Sequence, residues 1–333
     1  MAACRGAAGP TGVIEGTMSA QGTPVSSVVP PPPAEPAPST SPPAVTAGPG
    51  ADTGPSDRPS SSNPGVVVTP SGVVVPVVAD VDGGWEVRTP CGNDRTLTAG
   101  TRVREATVVL DPGHGGDERG AVSPGGVAEA GVNLAVARRT RAALEAQGIS
   151  VVLTRTDDYR LELTPRAMMA KALGPEAFVS IHHNADPDGP WPRPGTETYY
   201  QQDSDDSKRL AGLIWEEVVQ ALSAYRVAWV ADTDAGAKTR VGAHGDYYAM
   251  LRDPAPVVSA LAELAFMSNQ AEADLLGRTD VQDVEGDAVA RAIVRYLRTS
   301  DPGSGFTDAY PRLPNPAPTG PDAPLPVCTD PAL

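Results

Sequence analysis

Three residues of the sequence have the chemistry of metal ligands and stand in glycine turns, in loops or at the ends of apolar runs. His114 lies in the turn Asp-Pro-Gly-His-Gly-Gly, where glycines let the backbone come close to a bound group. His182 ends the apolar run AFVSIH, and Glu129 lies in the loop that begins after His114, just before a predicted helix. Two imidazoles and one carboxylate are a ligand set typical of catalytic zinc, which keeps a fourth position for water. The pattern therefore indicates a candidate zinc site.

A fourth residue, Glu263, interrupts the apolar run ALAELAF. An unpaired carboxylate in a buried strand is costly, so its presence there favours a functional role. Each of the four residues also has an ordinary interpretation, because a single histidine in a glycine turn is more often structural and a buried glutamate usually has a partner in the core. Taken one at a time, these residues do not decide between the two interpretations.

Strand and helix patterns alternate along the chain around these residues. Short apolar runs predict strands, and apolar residues at helical spacing predict helices. The predicted strands span residues 107–110, 150–154, 177–182, 196–200, 247–251 and 257–265, and the predicted helices span 133–147, 164–173, 206–225 and 284–297. This alternation predicts one α/β domain with a mainly parallel, twisted sheet and helices on both faces. In such sheets, sites form at the carboxyl ends of the strands.

Composition divides the chain into four parts. Residues 1–64 are rich in Pro, Ser and Ala and are expected to form a disordered tether. Residues 65–104 contain short β-branched runs and are expected to pack on the main domain as a strand-rich flanking segment. Residues 105–300 are expected to form the catalytic domain, and residues 301–333 a Pro-rich C-terminal tail.

Five sequence blocks, in this order, resemble the zinc-dependent amidase 3 family of N-acetylmuramoyl-L-alanine amidases. The blocks are VVLDPGHGG (108–116), GGVAEAGVNLAVARRTRAAL (125–144), VLTRTDD (152–158), FVSIHHNA (178–185) and LAELAFMSN (261–269). The resemblance implies hydrolysis of the amide bond between N-acetylmuramic acid and L-alanine in peptidoglycan. It gives His114, Glu129 and His182 the ligand places for one Zn²⁺ ion per chain. It gives Glu263 the place of the catalytic glutamate. It puts His183 at a position that varies within the family, where we expect a residue that lies behind the ligands or at the surface.

The implied chemistry suits these residue types. Zinc held by imidazoles and a carboxylate lowers the pKa of bound water to about 7 and polarises a carbonyl group. Glu263 can take the proton of that water and pass it to the departing amine. Asn184 and Arg155 lie within two of these blocks and Arg252 lies outside them; all three are candidate contacts for glycan or stem peptide, although Arg155 could equally be a structural ion-pair partner. His244, in the segment AHGDYY, is expected in a surface loop.

Two other interpretations remain open at this point. A relative that has lost catalysis could bind the wall without cutting it, although all four expected positions are filled in this chain. A zinc peptidase that acts within the stem peptide would use the same chemistry, because both enzymes polarise an amide. Only the reaction products separate the amidase from the peptidase.

The charge of the chain bears on its partners. The formal net charge of −15 argues against nucleic acid, because proteins that bind the phosphate backbone concentrate Lys and Arg. No apolar run in the sequence is long enough to predict a membrane-spanning helix. The family resemblance implies peptidoglycan as the partner, and we expect the enzyme to be a monomer.

The three cysteines bear on location. Cys91 and Cys328 flank the predicted domain outside any metal-ligand spacing, which leaves a disulfide between them or two free thiols. A disulfide suits an oxidising, extracytoplasmic location at the cell wall or cell surface. The first residues lack a complete signal peptide, yet Met-Ala-Ala-Cys resembles the end of a lipoprotein signal. We expect a leader upstream and Cys4 as the residue that carries a lipid anchor; the alternative is an accidental cysteine in the tether.

Overall fold

The computed structural model describes residues 63–185, 195–227, 235–310 and 327–333. Its first part is a five-stranded antiparallel sheet. The strands are β1 (Val66–Val68), β2 (Val74–Val81), β3 (Gly84–Arg88), β4 (Asp94–Leu97) and β5 (Thr101–Val103). Their order across the sheet is β4-β3-β2-β1-β5, so the β-branched runs of the flanking segment pair with one another.

A second, six-stranded sheet forms the centre of the following domain. The strands after β5 are β6 (Val108–Pro112), β7 (Val151–Leu153), β8 (Ala177–Asn184), β9 (Glu197–Tyr200), β10 (Gly236–Lys238), β11 (Val241–Gly242), β12 (Gly245–Asp246) and β13 (Ser259–Phe266). The central order is β10-β9-β13-β8-β6-β7, and β11 and β12 form a separate small hairpin. Every neighbouring pair in the central sheet is parallel except β9 with β13.

Helices cover both faces of the central sheet. They are α1 (Glu129–Glu145), α2 (Leu163–Leu173), α3 (Asp205–Leu222), α4 (Ala249–Arg252), α5 (Gln270–Leu276) and α6 (Thr279–Arg298), with a 3₁₀ turn at Ser223–Tyr225. Along β6, Val108 and Leu110 pack with α1, α3 and α6, whereas Val109 packs with α2, α4 and the five-stranded sheet. This alternation follows from the two-residue period of a strand. The predicted α/β fold, with a mainly parallel sheet between layers, is confirmed.

The C-terminal residues lie against the five-stranded sheet. Cys91 and Cys328 form a disulfide whose Cα atoms are 5.6 Å apart, which confirms the predicted pairing. Two residues further on, Asp330 accepts hydrogen bonds from the Thr89 hydroxyl and the Cys91 backbone N–H, both at 2.8 Å. The four-part division of the chain stays a prediction, because residues 1–62 and 311–326 lie outside the described residues. None of the described helices is long and apolar enough to span a membrane.

The structure corrects two local expectations and adds one helix. The strand predicted at residues 247–251 is wrong, because this segment leads into the short helix α4. Its apolar run is too short for periodicity to separate strand from helix. Glu129 is the first residue of α1 instead of a loop residue. Helix α5 was not predicted, although Asn269 caps it by accepting a hydrogen bond from the Glu272 backbone N–H, and an Asn-x-x-Glu pattern is a recognised helix-start signal.

Candidate metal centre

Three elements bring two imidazoles and a carboxylate together at the carboxyl ends of two inner strands of the central sheet. His114 follows β6, His182 lies on the neighbouring parallel strand β8, and Glu129 begins α1. Glu129 Oε1 is 3.0 Å from His182 Nδ1 and 3.2 Å from His114 Nε2. One ligand atom from each residue lies within 4.8 Å of the others, so the group could hold a metal ion.

The glycine turn after β6 makes this approach sterically feasible. A Cβ atom at Gly113 would overlap the His182 ring, and one at Gly120 would overlap the Glu129 carboxylate and the His114 ring. His114 itself has a φ of 61°, a left-handed conformation that is uncommon for a residue with a side chain. Such a conformation persists only where surrounding contacts impose it, and it is found most often at functional sites.

A buried ion pair beneath the turn imposes part of that conformation. Asp111 is fully buried and accepts hydrogen bonds from Thr154, Ser180 and Arg166 at 2.6, 2.7 and 2.7 Å. Burial alone would raise the pKa of Asp111, but the Arg166 charge and these hydrogen bonds together lower it. Arg166 also donates to the backbone carbonyl of His114 at 2.8 Å. The pair therefore ties the histidine turn to the sheet and to α2.

The surroundings of Arg155 favour the structural alternative over contact with substrate. Its side chain is entirely buried and donates to the backbone carbonyls of Pro112, Gly113 and Ala130 at 3.0, 2.9 and 2.7 Å. Burial lowers its pKa to about 10, so the guanidinium remains charged at neutral pH. It fastens the glycine turn to the start of α1 instead of facing solvent.

The electrostatics of the cluster favour a cation. Burial opposes protonation of His114, but hydrogen bonds and charge from Glu118 and Glu129 raise its pKa to about 10. Burial lowers the pKa of His182, against the opposing effect of Glu129. Burial would raise the pKa of Glu129, yet its hydrogen bonds and charge interactions with both histidines hold that pKa well below the usual range. The carboxylates of Glu118 and Glu129 therefore stabilise a positive charge at His114. In the metal-free protein a proton supplies this charge, and a bound metal ion would supply it instead.

Glu263 lies next to this cluster. On β13 it is the direct Cα partner of His182 on β8, and on its other side it faces Glu197 on β9. Glu263 Oε2 is buried and has no hydrogen-bond partner among the residues that the structure describes. Burial and the charges of Glu129 and Glu197 raise the pKa of Glu263 well above its usual value. The strand register therefore places a carboxylate oxygen without a competing bond beside the imidazole of His182.

The remaining candidates have other surroundings. Asn184 is partly buried and donates to the Glu197 carboxylate at 2.9 Å. Arg252 ends α4, with its side chain 37% exposed, and bonds to Asp253 and to the backbone carbonyl of Asp246 at 3.0 and 2.9 Å. Substrate contact by these two residues stays a prediction. His244 is exposed between β11 and β12, as expected of a surface loop.

A small cavity lies beside two of the three clustered groups, His114 and His182. Its walls include Gly113, His114 and His182 together with the apolar side chains of Leu161 and Met250, and with Leu163. Leu163 is the exposed member of this wall at 53%, whereas Leu161 and Met250 are buried. These side chains give the cavity beside His114 and His182 a partly apolar wall.

Two polar residues behind the cluster were missed from the sequence. Asn133 lies one turn after Glu129 on α1 and donates to its carboxylate at 3.2 Å. Glu285 on α6 is fully buried and lies 3.4 Å from His183. A signal existed for Glu285, because it precedes Ala288 by three residues and so places a charge within the apolar face of the helix.

Comparison with known proteins gives a consistent result. Residues 108–295 match the family described as N-acetylmuramoyl-L-alanine amidase. The chain is 35% identical over 218 residues to the uncharacterised protein YqiI of Bacillus subtilis, covering 64% of this chain and 97% of that protein. It is 32% identical over 204 residues to the germination-specific N-acetylmuramoyl-L-alanine amidase of Bacillus subtilis, covering 57% and 79%. The crystal structure of the N-acetylmuramoyl-L-alanine amidase from Clostridium difficile 630 matches with a TM-score of 0.51 and 28% identity, covering 60% of this chain and 100% of that one.

Proposed function

Because this chain belongs to the N-acetylmuramoyl-L-alanine amidase family, whose members hydrolyse peptidoglycan, we propose that it cleaves the amide bond between N-acetylmuramic acid and L-alanine with one zinc ion. His114, Glu129 and His182 would hold the zinc, and Glu263 would act as general base. The observation that carries the proposal is the register of β8 and β13. It puts Glu263 next to His182, which is one of the three clustered residues.

The spacing and chemistry of the cluster fit zinc. Ligand atoms about 2.1 Å from a tetrahedral zinc ion lie about 3.4 Å from one another. The 3.0 and 3.2 Å separations between the Glu129 oxygen and the two imidazole nitrogens are close to that value, and all three ligand atoms lie within 4.8 Å of one another. The lowered pKa values keep His182 neutral and Glu129 ionised at neutral pH, as ligation requires.

The residues of the chain have separate tasks in this mechanism. A zinc ion bound there would lower the pKa of a coordinated water to about 7 and polarise the scissile carbonyl. The charge of a zinc ion at the cluster would oppose the raised pKa of Glu263 and keep its carboxylate ionised. Glu263 Oε2 would then take the proton of the attacking water and deliver it to the departing amine. This oxygen suits the task because no described residue competes for it. Arg155 and Arg166 keep the His114 turn in place through their bonds to its backbone carbonyls.

We further propose that the enzyme acts outside the cytoplasm as a monomer. The Cys91–Cys328 disulfide supports this location, because disulfides persist in oxidising compartments. Cys4 lies outside the described residues, so its lipid anchor and the upstream leader stay predictions. Mass spectrometry of the native N-terminus tests them: a lipid-modified Cys4 agrees, and an unmodified Met1 contradicts both.

Digestion of purified cell wall, with and without a chelator, tests the enzymatic proposal. Mass analysis should show glycan with free muramic acid lactyl groups and peptides that begin with L-alanine, and the chelator should abolish both products. New termini within the stem peptide would instead identify a peptidase. His182→Ala should remove the activity, whereas His244→Ala, which changes an exposed histidine, should retain it. An unchanged rate in His182→Ala contradicts the proposed ligand set.

A further inference from the structure

A chain of buried polar side chains leads away from Glu129 into the layer between the sheet and two helices. Asn133 Nδ2 on α1 donates to Glu129 Oε1 at 3.2 Å. Asn133 Oδ1 is 2.7 Å from His183 Nδ1 on β8, and His183 Nε2 is 3.4 Å from Glu285 Oε1 on α6. Asn133, His183 and Glu285 are each at most 1% exposed. The chain therefore links α1, β8 and α6 without contact with solvent.

The hydrogen-bond partners fix the direction of this chain. The Asn133 amide nitrogen faces two groups that only accept, the Glu129 carboxylate and the Gly113 carbonyl, at 3.2 and 3.3 Å. The amide oxygen must then face His183, so His183 Nδ1 is the donor in the 2.7 Å contact. This short bond sets the rotamer of Asn133, and Asn133 in turn restrains the carboxylate of Glu129.

Protein donors hold both oxygens of that carboxylate. Oε1 accepts from Asn133 and from the backbone N–H of His183 at 3.2 Å, and Oε2 accepts from the backbone N–H of Ala121 at 2.9 Å. Oε1 is also the atom that faces both His114 and His182. The restraint therefore acts on the atom through which Glu129 would bind zinc.

We propose that the His183 side chain is a positioning residue, which orients Glu129 for zinc through Asn133 while Glu285 holds the far side of the imidazole. The inference rests on the proposed function. His183 does not contact substrate or metal in this role. Residues that hydrogen-bond to metal ligands typically change metal affinity about 10–100-fold when they are removed.

His183→Leu tests this role, because leucine fills the space but donates no hydrogen bond to Asn133. We expect about 10–100-fold weaker zinc binding in competition with a chromogenic chelator. We also expect a smaller rise in melting temperature on addition of zinc, since stabilisation by a ligand depends on its affinity. His183→Asn should restore much of the affinity, because its amide can donate from nearly the position of the imidazole Nδ1.

Thr140→Val provides a matched control. The Thr140 hydroxyl is buried and contacts the backbone carbonyls of Val136 and Gly286, so it joins the same two helices without contact with Glu129. This variant should lower the melting temperature equally with and without zinc. If His183→Leu behaves in the same way and keeps the zinc affinity of the parent, the positioning role is wrong.

Asn133→Ala serves as a second variant if His183→Leu does not fold, and we expect the same loss of zinc affinity. If Asn133→Ala binds zinc as tightly as the parent protein, the proposal is overturned.

The parent protein separates this inference from the proposed function. A parent that binds no zinc contradicts the proposed function itself. A parent that binds zinc, with both variants binding as tightly, overturns the positioning role alone.

Discussion

Glu263 and His182 are direct partners across the parallel strands β13 and β8. Paired positions in adjacent strands carry their side chains on the same face, so one residue that would hold zinc and one that would move protons are set by a single strand register. A shift of one residue in that register would turn Glu263 to the opposite face of the sheet. With the observed register, the proposed general base lies beside a proposed zinc ligand. With the shifted register, the protein could hold a metal but would lack this base.

Glu263→Gln should lower the hydrolysis rate about 10²–10⁴-fold, the usual effect of removing a general base. Zinc content, measured by atomic absorption, should remain that of the parent, because Glu263 lies beside the cluster instead of within it. Wall digestion followed by mass analysis measures the rate. A variant that cuts as fast as the parent would remove Glu263 from the mechanism.

Glu272→Gln is the matched control for that prediction. Like Glu263, Glu272 has one buried side-chain oxygen without a hydrogen-bond partner among the described residues, but it lies on α5 and is fully buried, whereas Glu263 is partly buried. Burial and the nearby charge of Glu285 raise the pKa of Glu272 to about 8, although the hydrogen bond from the Phe266 backbone N–H acts in the opposite direction. Glutamine resembles its protonated form, so stability and hydrolysis near pH 7 should change little. A loss as large as that of Glu263→Gln would show that any buried glutamate has this effect.

Zinc binding should release protons near pH 7. His114 has a pKa of about 10 without metal, so it carries a proton at pH 7 that it must lose to act as a ligand. Calorimetric titration in buffers of different ionisation enthalpy should give a release of about one proton per zinc ion or more. Heats that do not depend on the buffer would contradict the raised pKa of His114.

The same pKa predicts how the stability of the metal-free protein depends on pH. The folded-state value of about 10 exceeds the ordinary value of 6.5, so the protonated histidine stabilises the folded state below pH 6.5. This contribution is lost as the pH rises from 6.5 to about 10. Urea unfolding across this range should show the decline, and His114→Ala should reduce it.

Arg166→Met should destabilise the protein by about 3–5 kcal/mol, because it leaves Asp111 as an uncompensated buried charge. Arg166 is 2% exposed and Asp111 fully buried, so solvent cannot replace the lost partner. Urea unfolding measures the change. Arg138→Met is the control, since the Arg138 side chain is 50% exposed and its removal should have little effect. Equal losses in both variants would contradict the role given to the buried pair.

Removal of the disulfide should lower the free energy of unfolding by about 2–5 kcal/mol without changing zinc affinity. Its two cysteines are 237 residues apart in sequence, so the bond restricts the unfolded chain over a long loop. The variant with Cys91→Ser and Cys328→Ser measures this against the oxidised parent. A reducing agent should destabilise the parent and leave the double variant unchanged; sensitivity in the double variant would point to a different cause.

The sequence alone determined the alternating α/β pattern and the blocks that contain His114, Glu129, His182 and Glu263. Such features are local, because strand and helix periodicity and glycine turns are properties of neighbouring residues. The apolar run at residues 247–251 is too short for its period to distinguish a helix from a strand, so the local pattern predicts a strand where the fold has the start of α4.

Tertiary packing alone decided the role of the polar residues behind the site. In the sequence Arg155 is a candidate either for substrate contact or for a structural role, and in the fold its side chain is buried against backbone carbonyls of β6, the glycine turn and α1. His183 contacts Asn133 and Glu285, which lie 50 and 102 residues away along the chain. Contacts over such separations depend on how whole elements dock, and no local period encodes that docking. The sequence therefore named the ligand candidates, and only the fold showed what orients them.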